Sequence, residues 1–426
     1  MLDIKRIRAE PDAVKAGARK KRIPAEPLVD QAIALDERRR ALTGEWEAIK
    51  AEQNRSGKEI ARLQGEEKAA RIKKMDEMKG RGKELEADLS RVEAEMGEIL
   101  LGIPNVPDPA VPDGLTDADN VEIRRWGEQP KFSFKPKDHL TLGAELDIID
   151  IDRAAKLAGT RTYILKGDAA LLELAVLQFT LARLAVKGFV PMIVPTLVRR
   201  EAMVGTAYFP GGEEQAYACE RDGLYLIGTS EVPVTAYHSG EILDEKDLPR
   251  LYAGYSTCYR REAGAAGRDT KGLYRIHQFN KVEQVVVCRA DEAESKRQHE
   301  FITNNAEEVL RALDLPHRVV NVCGGDLGAS QVQKFDIETW MPSRGGYGET
   351  HSSSRFYDYQ ARRLNMRYRD AEGRVRICHT LNNTAIASPR ILISILEIYQ
   401  EADGRVRIPE ALRPYLGGRT HIERRA

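Results

Sequence analysis

The sequence predicts an α+β protein in two parts: a long antiparallel helical hairpin, then a body that mixes helix and strand. Three observations carry this. Charged, heptad-like seams run over residues 28–100. Four prolines then fall within residues 102–114, which must end a helix and run extended. Beyond them, short runs of strand formers alternate with amphipathic stretches.

In the hairpin, Leu35, Leu42, Trp46, Ile49, Ile60 and Leu63 step by alternating four and three, with Arg39, Gln53 and Ser56 in the gaps. Met78, Leu85, Leu89, Val92, Met96 and Ile99 step the same way. Two such seams separated by a turn around Gly65 describe two helices of roughly 35 residues, each about 50 Å long. The distal part is basic. Arg55, Lys58, Arg62, Lys68, Arg71, Lys73, Lys74, Lys79, Arg81 and Lys83 face only five acidic residues between positions 55 and 83. A charged coiled coil can serve oligomerisation alone. It can equally grip a phosphate backbone, in a sequence-tolerant and salt-dependent way. The boundaries follow: residues 1–101 form the hairpin domain, 102–120 the linker and 121–426 the body.

Composition bounds the partners. The chain has 426 residues, enough for two or three domains. Lys+Arg and Asp+Glu both number 66, so any nucleic acid must meet a local basic surface, not a net charge. Cys219, Cys258, Cys288, Cys323 and Cys378 are scattered and form no CxxC pair. Neither a disulfide framework nor a structural zinc is expected. Met1 to Lys5 lead straight into charge, without a signal peptide, and no apolar run nears bilayer length. The expectation is a soluble, cytoplasmic protein with no membrane partner.

Within the body, residues 168–187 read as a helix with Asp168 as N-cap, followed by a strand ending at Pro195. Residues 224–231 form a strand that delivers Thr229, Ser230 and Glu231 at its end. These can accept an ammonium, or start and cap a helix. Residues 252–259 and 274–287 read as two strands joined by a glycine-rich, charged loop. Residues 335–340 alternate as a strand and lead to Glu349, Thr350, His351 and Ser352. A carboxylate three residues from a hydroxyl can share a hard cation such as Mg²⁺ on a nucleotide; it can also be a plain polar turn. Residues 378–390 read as a small polar turn before an apolar helix. Arg390 falls in the first turn of that helix, where a cation opposes the helix dipole and invites an anion.

Tyr259-Arg260-Arg261-Glu262-Ala263-Gly264, the run from Gly272 to Phe279, and Lys281-Val282-Glu283 closely resemble motif 2 of class II aminoacyl-tRNA synthetases, in the seryl form. The stretch ending in Arg390 resembles motif 3, and residues 168–195 resemble motif 1. With the basic arm, the resemblance covers essentially the whole chain. It implies an antiparallel β-sheet flanked by helices, a homodimer, and an arm that embraces tRNA(Ser), with tRNA(Sec) an optional second substrate. It implies ATP with Mg²⁺, and L-serine, as the small ligands. By that resemblance Arg260 holds the α-phosphate and Arg390 the γ-phosphate, with Arg261 beside them. Glu262 meets the adenine edge, Phe279 stacks on adenine and the Ile276 backbone bonds it. Glu349 and Ser352 hold Mg²⁺ and phosphate, within a segment that includes Thr350 and His351. Thr229, Ser230 and Glu231 hold the serine ammonium; Glu283 and Thr384 receive its hydroxyl, with Asn382 nearby. On the arm, Arg55, Lys58, Arg62, Lys68, Arg71, Lys73 and Lys74 meet tRNA.

Two positions depart from the pattern. Gly348 stands where the family often has arginine, and Lys271 replaces a frequent arginine of the motif 2 loop. Three other readings compete: a ligase loading a carrier protein, a non-catalytic tRNA-binding protein, and a purely structural coiled coil. The first has no need of a basic arm. The second should lack Arg260, Glu349 or Arg390. The third leaves the C-terminal motifs without a role.

Overall fold

The computed structural model describes residues 1–264 and 272–424. The chain divides into two compact units, Met1–Val106 and Pro107–Ala426.

The first unit holds α1 (Ile4–Ala9), α2 (Pro11–Lys20), α3 (Glu26–Ile60) and α4 (Gly65–Gly102). The helices α3 and α4 form the hairpin, with the turn before Gly65, whose φ of 58° suits glycine. The seam positions from Leu35 to Leu63 and from Met78 to Ile99 are all partly or fully buried. The short α1 and α2 escape a heptad reading because each spans three turns or fewer. They pack on the base of α3, where the fully buried Asp36 pairs with Arg8 and, at 2.7 Å, with Arg39. Burial alone would raise the Asp36 carboxyl; the two arginines hold it below its ordinary value.

The second unit is built on an eight-stranded sheet. Its strands, numbered in chain order, are β1 (Val121–Trp126), β2 (Val190–Ile193), β3 (Arg250–Tyr259), β4 (Gln278–Cys288), β5 (His317–Asn321), β6 (Gln333–Met341), β7 (Gly346–Tyr357) and β8 (His379–Ser388). Their spatial order is β1-β5-β6-β7-β8-β4-β3-β2. All neighbours are antiparallel except the edge pair β2 and β3, which is parallel. The helices used below are α5 (His139–Glu145), α6 (Asp168–Val186), α7 (Glu231–Ala236), α8 (Glu292–Ala312) and α9 (Arg390–Ile398). One core joins the sheet to α6, α8 and α9 through Leu172, Val176, Val282, Val286, Ile302, Leu381 and Ile391.

Four local expectations change. Residues 379–388 form the central strand β8, not a turn. Its polar side chains find distant partners: Asn383 accepts from Gln284 Nε2 at 2.6 Å, and Thr380 donates to Gln360 at 2.7 Å. Strand β4 starts at Gln278, not residue 274, because the preceding segment bonds elsewhere. The His277 N–H goes to the Arg161 carbonyl, and the Tyr274 carbonyl takes Arg390 Nε. Asp168 is the first residue of α6, bound to Arg419 at 2.6 Å; Gly167 occupies the cap position. The same helix α6 is long and apolar enough, by length and composition, to cross a membrane, contrary to the reading that no run nears that length. Here it packs Leu172, Val176 and Phe179 into the core.

Candidate active site

Two β-bulges set the site. On β4 the period of two places Phe279, Lys281 and Glu283 on one face, while Val282 and Val286 join the core on the other. The register against β8 slips so that Val282 pairs with Ile386 but Glu283 pairs with Thr384. Ala385 is the extra residue and turns inward with Ile386. The slip thereby aims Thr384 at Glu283. A second slip, between β6 and β7, sets Glu349 opposite Glu338 while His351 stays opposite Ile337.

Together these strands and the segment before β4 line a cleft of about 600 Å³. Arg260, Glu262, Ile276, Phe279, Lys281, Glu349, Thr350, His351, Ser352, Thr384 and Arg390 all face it. Arg390 is pinned three ways. Its Nε donates to the Tyr274 carbonyl at 3.0 Å, its Nη1 to the Glu349 carbonyl at 2.8 Å, and its guanidinium lies 4.3 Å from the centre of the Tyr274 ring. Arg260 stacks over Phe279 at 5.2 Å and donates from Nε to the Gly228 carbonyl at 3.3 Å. Glu262 adopts a φ of 54°, uncommon for a non-glycine residue, and accepts from Arg275 at 2.7 Å. Burial alone would raise the Glu349 carboxyl. Lys334, Arg390, Arg260 and Arg275 hold it below its ordinary value, so it faces the cleft as a carboxylate. Lys334 itself pairs at 2.9 Å with Asp336, which burial pushes up.

Behind the cleft lie two buried carboxylates, Glu283 and Glu231. Glu283 accepts from Thr384 Oγ1 at 3.2 Å and lies 2.6 Å from Lys281 Nζ on the same oxygen. Glu231 accepts from Gln360 Nε2 at 2.8 Å and from the Tyr208 hydroxyl at 3.1 Å. Burial first, and then the nearby Glu283, push Glu231 up to about 7. Asn382 is buried two residues from Thr384 on β8. Residues 229–231 do start a helix, α7, and the Thr229 hydroxyl accepts the Glu231 N–H at 3.1 Å.

Not every expected residue presents its side chain to the cleft. Ser230 donates its hydroxyl to the Gly254 carbonyl at 2.9 Å, so it ties α7 to β3. Arg261 is exposed and does not line the cleft. Thr350 and His351 line it, but Thr350 bonds the Ile337 carbonyl and His351 bonds Thr350 at 2.8 Å. Burial pushes His351 down to about 3, so the ring is neutral. Lys271 lies outside the described residues.

Lys281, Tyr208 and Gln360 were not among the expected site residues. A Lys-x-Glu pair in a strand shares one face, and that signal could have found Lys281. Nothing local marks Tyr208 or Gln360. On the arm, Lys58, Arg62, Lys68, Lys73 and Lys74 are exposed and, among the described residues, take no ion pair. Arg71 differs: it reaches across the hairpin to Glu59 and, at 3.3 Å, to Glu52. Arg55 lies 3.5 Å from Glu52 but stays exposed.

Comparison with known proteins agrees with this architecture. Residues 1–107 match the seryl-tRNA synthetase N-terminal domain, and residues 217–399 match the class II tRNA synthetase core domain (G, H, P, S and T). The chain is 48% identical over 419 residues to a serine–tRNA ligase of Deinococcus radiodurans, covering 98% of each chain. A seryl-tRNA synthetase from Pyrococcus horikoshii, solved complexed with ATP, superposes with a TM-score of 0.94 at 42% identity, covering 100% of each chain. A cytoplasmic serine–tRNA ligase from Naegleria fowleri, solved in complex with AMP, superposes with a TM-score of 0.88 at 31% identity, covering 100% of this chain and 99% of that one.

Proposed function

The chain belongs to the class II seryl-tRNA synthetases, and from that premise we propose that its cleft activates L-serine with ATP and loads tRNA(Ser). One observation carries the reading. Arg260, Glu349 and Arg390 line a single cleft, and two of its wall residues, Lys281 and Thr384, bond the buried Glu283 behind it.

The serine carboxylate attacks the α-phosphorus of ATP in line, and pyrophosphate leaves. The 3′-hydroxyl of the terminal tRNA adenosine then attacks the acyl carbon, and AMP leaves. No protein nucleophile is required; the chain positions the reactants and offsets phosphate charge. Arg260 takes the α-phosphate and Arg390 the γ-phosphate. Phe279, Ile276 and Glu262 seat the adenine. Glu231 and Thr229 take the ammonium, which also relieves the repulsion between Glu231 and Glu283. Glu283 and Thr384 take the serine hydroxyl, with Asn382 beside them. Alanine has no hydroxyl to offer Glu283 and Thr384 and forfeits that bond, which supports discrimination against it.

Glu349 and Ser352 fit a magnesium ion carried by ATP: an ionised carboxylate and a hydroxyl, both hard oxygen donors, face the cleft. The described residues assemble no cluster of three His, Cys, Asp or Glu side chains that could hold a metal. The remaining ligands would therefore be phosphate oxygens and water, and the ion would supply further neutralisation of phosphate charge.

The exposed cations of the arm, Lys58, Arg62, Lys68, Lys73 and Lys74, suit a grip on the tRNA backbone that reads shape more than sequence. A tRNA(Sec) of the same shape would be held in the same way. Homodimerisation is favoured by the edge strand β2, where Val190 and Ile193 are 54% and 89% exposed, and by exposed Leu171, Leu174 and Val186 on α6. Five free cysteines suit a reducing, cytoplasmic setting.

Serine-dependent exchange of pyrophosphate into ATP, followed by transfer of serine to total tRNA, tests the reading. Both should occur. Absence of exchange overturns it, and exchange without charging points to a carrier-protein ligase.

A further inference from the structure

We propose that Arg344 is a second cation for the terminal phosphates of ATP, docked on Tyr274 across from Arg390. This rests on the ATP-dependent activation inferred above. The guanidinium carbon of Arg344 lies 4.2 Å from the centre of the Tyr274 ring, and that of Arg390 lies 4.3 Å from it. Tyr274 is also a shared wall. It lines the main cleft with Arg390, and it lines a neighbouring cavity of about 740 Å³ with Arg344 and Ser343. The two guanidiniums therefore share one ring, Arg390 on the cleft side and Arg344 in the neighbouring cavity, and terminal phosphates that extend from the cleft past Tyr274 would meet both.

A buried carboxylate keys this arrangement. Glu397 is fully buried on α9, the helix that begins with Arg390. It accepts from the N–H and the hydroxyl of Ser343, at 2.9 and 2.8 Å, next to Arg344. It also accepts from the N–H of His139 at 3.0 Å and from His139 Nδ1 at 2.7 Å. The other ring nitrogen, Nε2, accepts the Leu273 N–H at 3.3 Å, next to Tyr274. With Nε2 accepting, the ring proton sits on Nδ1 and points at Glu397. One side chain thus ties Arg390's helix to the flanks of both Arg344 and Tyr274.

Gly348 completes the set. A Cβ there would lie 3.1 Å from Tyr274 Cε2 and 3.1 Å from Met341 Sδ, so a side chain at 348 would press on the ring and on Met341 and make one of them give by a few tenths of an ångström. Position 348 supplies no charge. Arg344, four residues earlier, supplies one on the far side of the ring that Gly348 admits.

The test uses the full chain with Arg344→Ala, Arg344→Met and Arg344→Lys. Binding of ATP and of AMP, each with magnesium, is measured by calorimetry beside serine-dependent pyrophosphate exchange by the unaltered protein. Removing one charge-assisted hydrogen bond should weaken ATP about ten- to a hundred-fold in the Ala and Met variants. AMP, which lacks the terminal phosphates, should bind as before, and Lys should recover part of the loss. Equal weakening of ATP and AMP, unchanged ATP binding, or full recovery by Met, which restores packing without charge, would overturn the proposal. Failure of exchange in the unaltered protein would instead remove the ATP-dependent reading on which it stands, and the proposal with it.

Discussion

The arm and the cleft are both suited to phosphate, but they hold their cations in opposite ways. On the arm, Lys58, Arg62, Lys68, Lys73 and Lys74 stand exposed without ion pairs among the described residues. In the cleft, Arg390 and Arg260 are each fixed by a carbonyl and an aromatic ring. Loose cations suit a polyanion held by the sum of many weak attractions, a grip that weakens as salt rises. Pinned cations suit a reaction, where an error of about 1 Å can cost a hundred-fold in rate. Behind the cleft lie the buried carboxylates Glu231 and Glu283, and burial together with Glu283 pushes Glu231 up to about 7.

The largest expected effect separates the two regions outright. Deleting residues 31–98 should remove tRNA charging and spare adenylate formation; charging at normal efficiency would show that the arm is not the grip. Arg260→Ala should lower adenylate formation by about a hundred- to a thousand-fold, the scale of losing one preorganised donor, with the fold intact by circular dichroism. Adenylate formation at the unaltered rate would remove Arg260 from the α-phosphate.

Glu231→Gln should raise the KM for serine by about ten- to a hundred-fold and leave the KM for ATP near its starting value. Its pH dependence gives a finer test. Ammonium needs the ionised form, and Glu231 is pushed up to about 7. The KM for serine should therefore fall as pH rises through about 7, and Glu231→Gln should flatten that profile. The stability of the unliganded protein runs the other way. A carboxyl held above its ordinary 4.5 stabilises the fold fully below that pH, and the contribution is lost as pH rises through about 7. Thermal melts across this range should show the loss, and the Gln variant should show less of it.

The smallest effect belongs to the loose cations. Lys58→Ala, Lys73→Ala and Lys74→Ala together should lower the salt slope of tRNA binding by up to about 0.7–0.9 for each phosphate these lysines neutralise, with pyrophosphate exchange unaltered. An unchanged slope would place the tRNA elsewhere.

The same contrast explains what could be read in advance. The hairpin's order is local: its seam repeats every three and four residues, and the turn falls before Gly65 as the spacing expects. Arg390 in the first turn of its helix was also legible, because a misplaced charge is a local signal. Strand β8 was not. Its Thr380, Asn382, Asn383 and Thr384 look like loop chemistry until Gln360, Gln284 and Glu283 arrive from other parts of the chain. Tyr208 and Gln360 reach Glu231 from 23 residues before it and 129 residues after it. The aim of Thr384 depends on a single extra residue in a strand register, which leaves no mark in composition.

A crystal structure with a non-hydrolysable seryl-adenylate analogue tests the account most directly. The analogue's ammonium should lie against Glu231, its hydroxyl against Glu283 and Thr384, and the group replacing the α-phosphate against Arg260. A seryl group bound away from the two carboxylates, or an adenylate that bypasses Arg260, would contradict it.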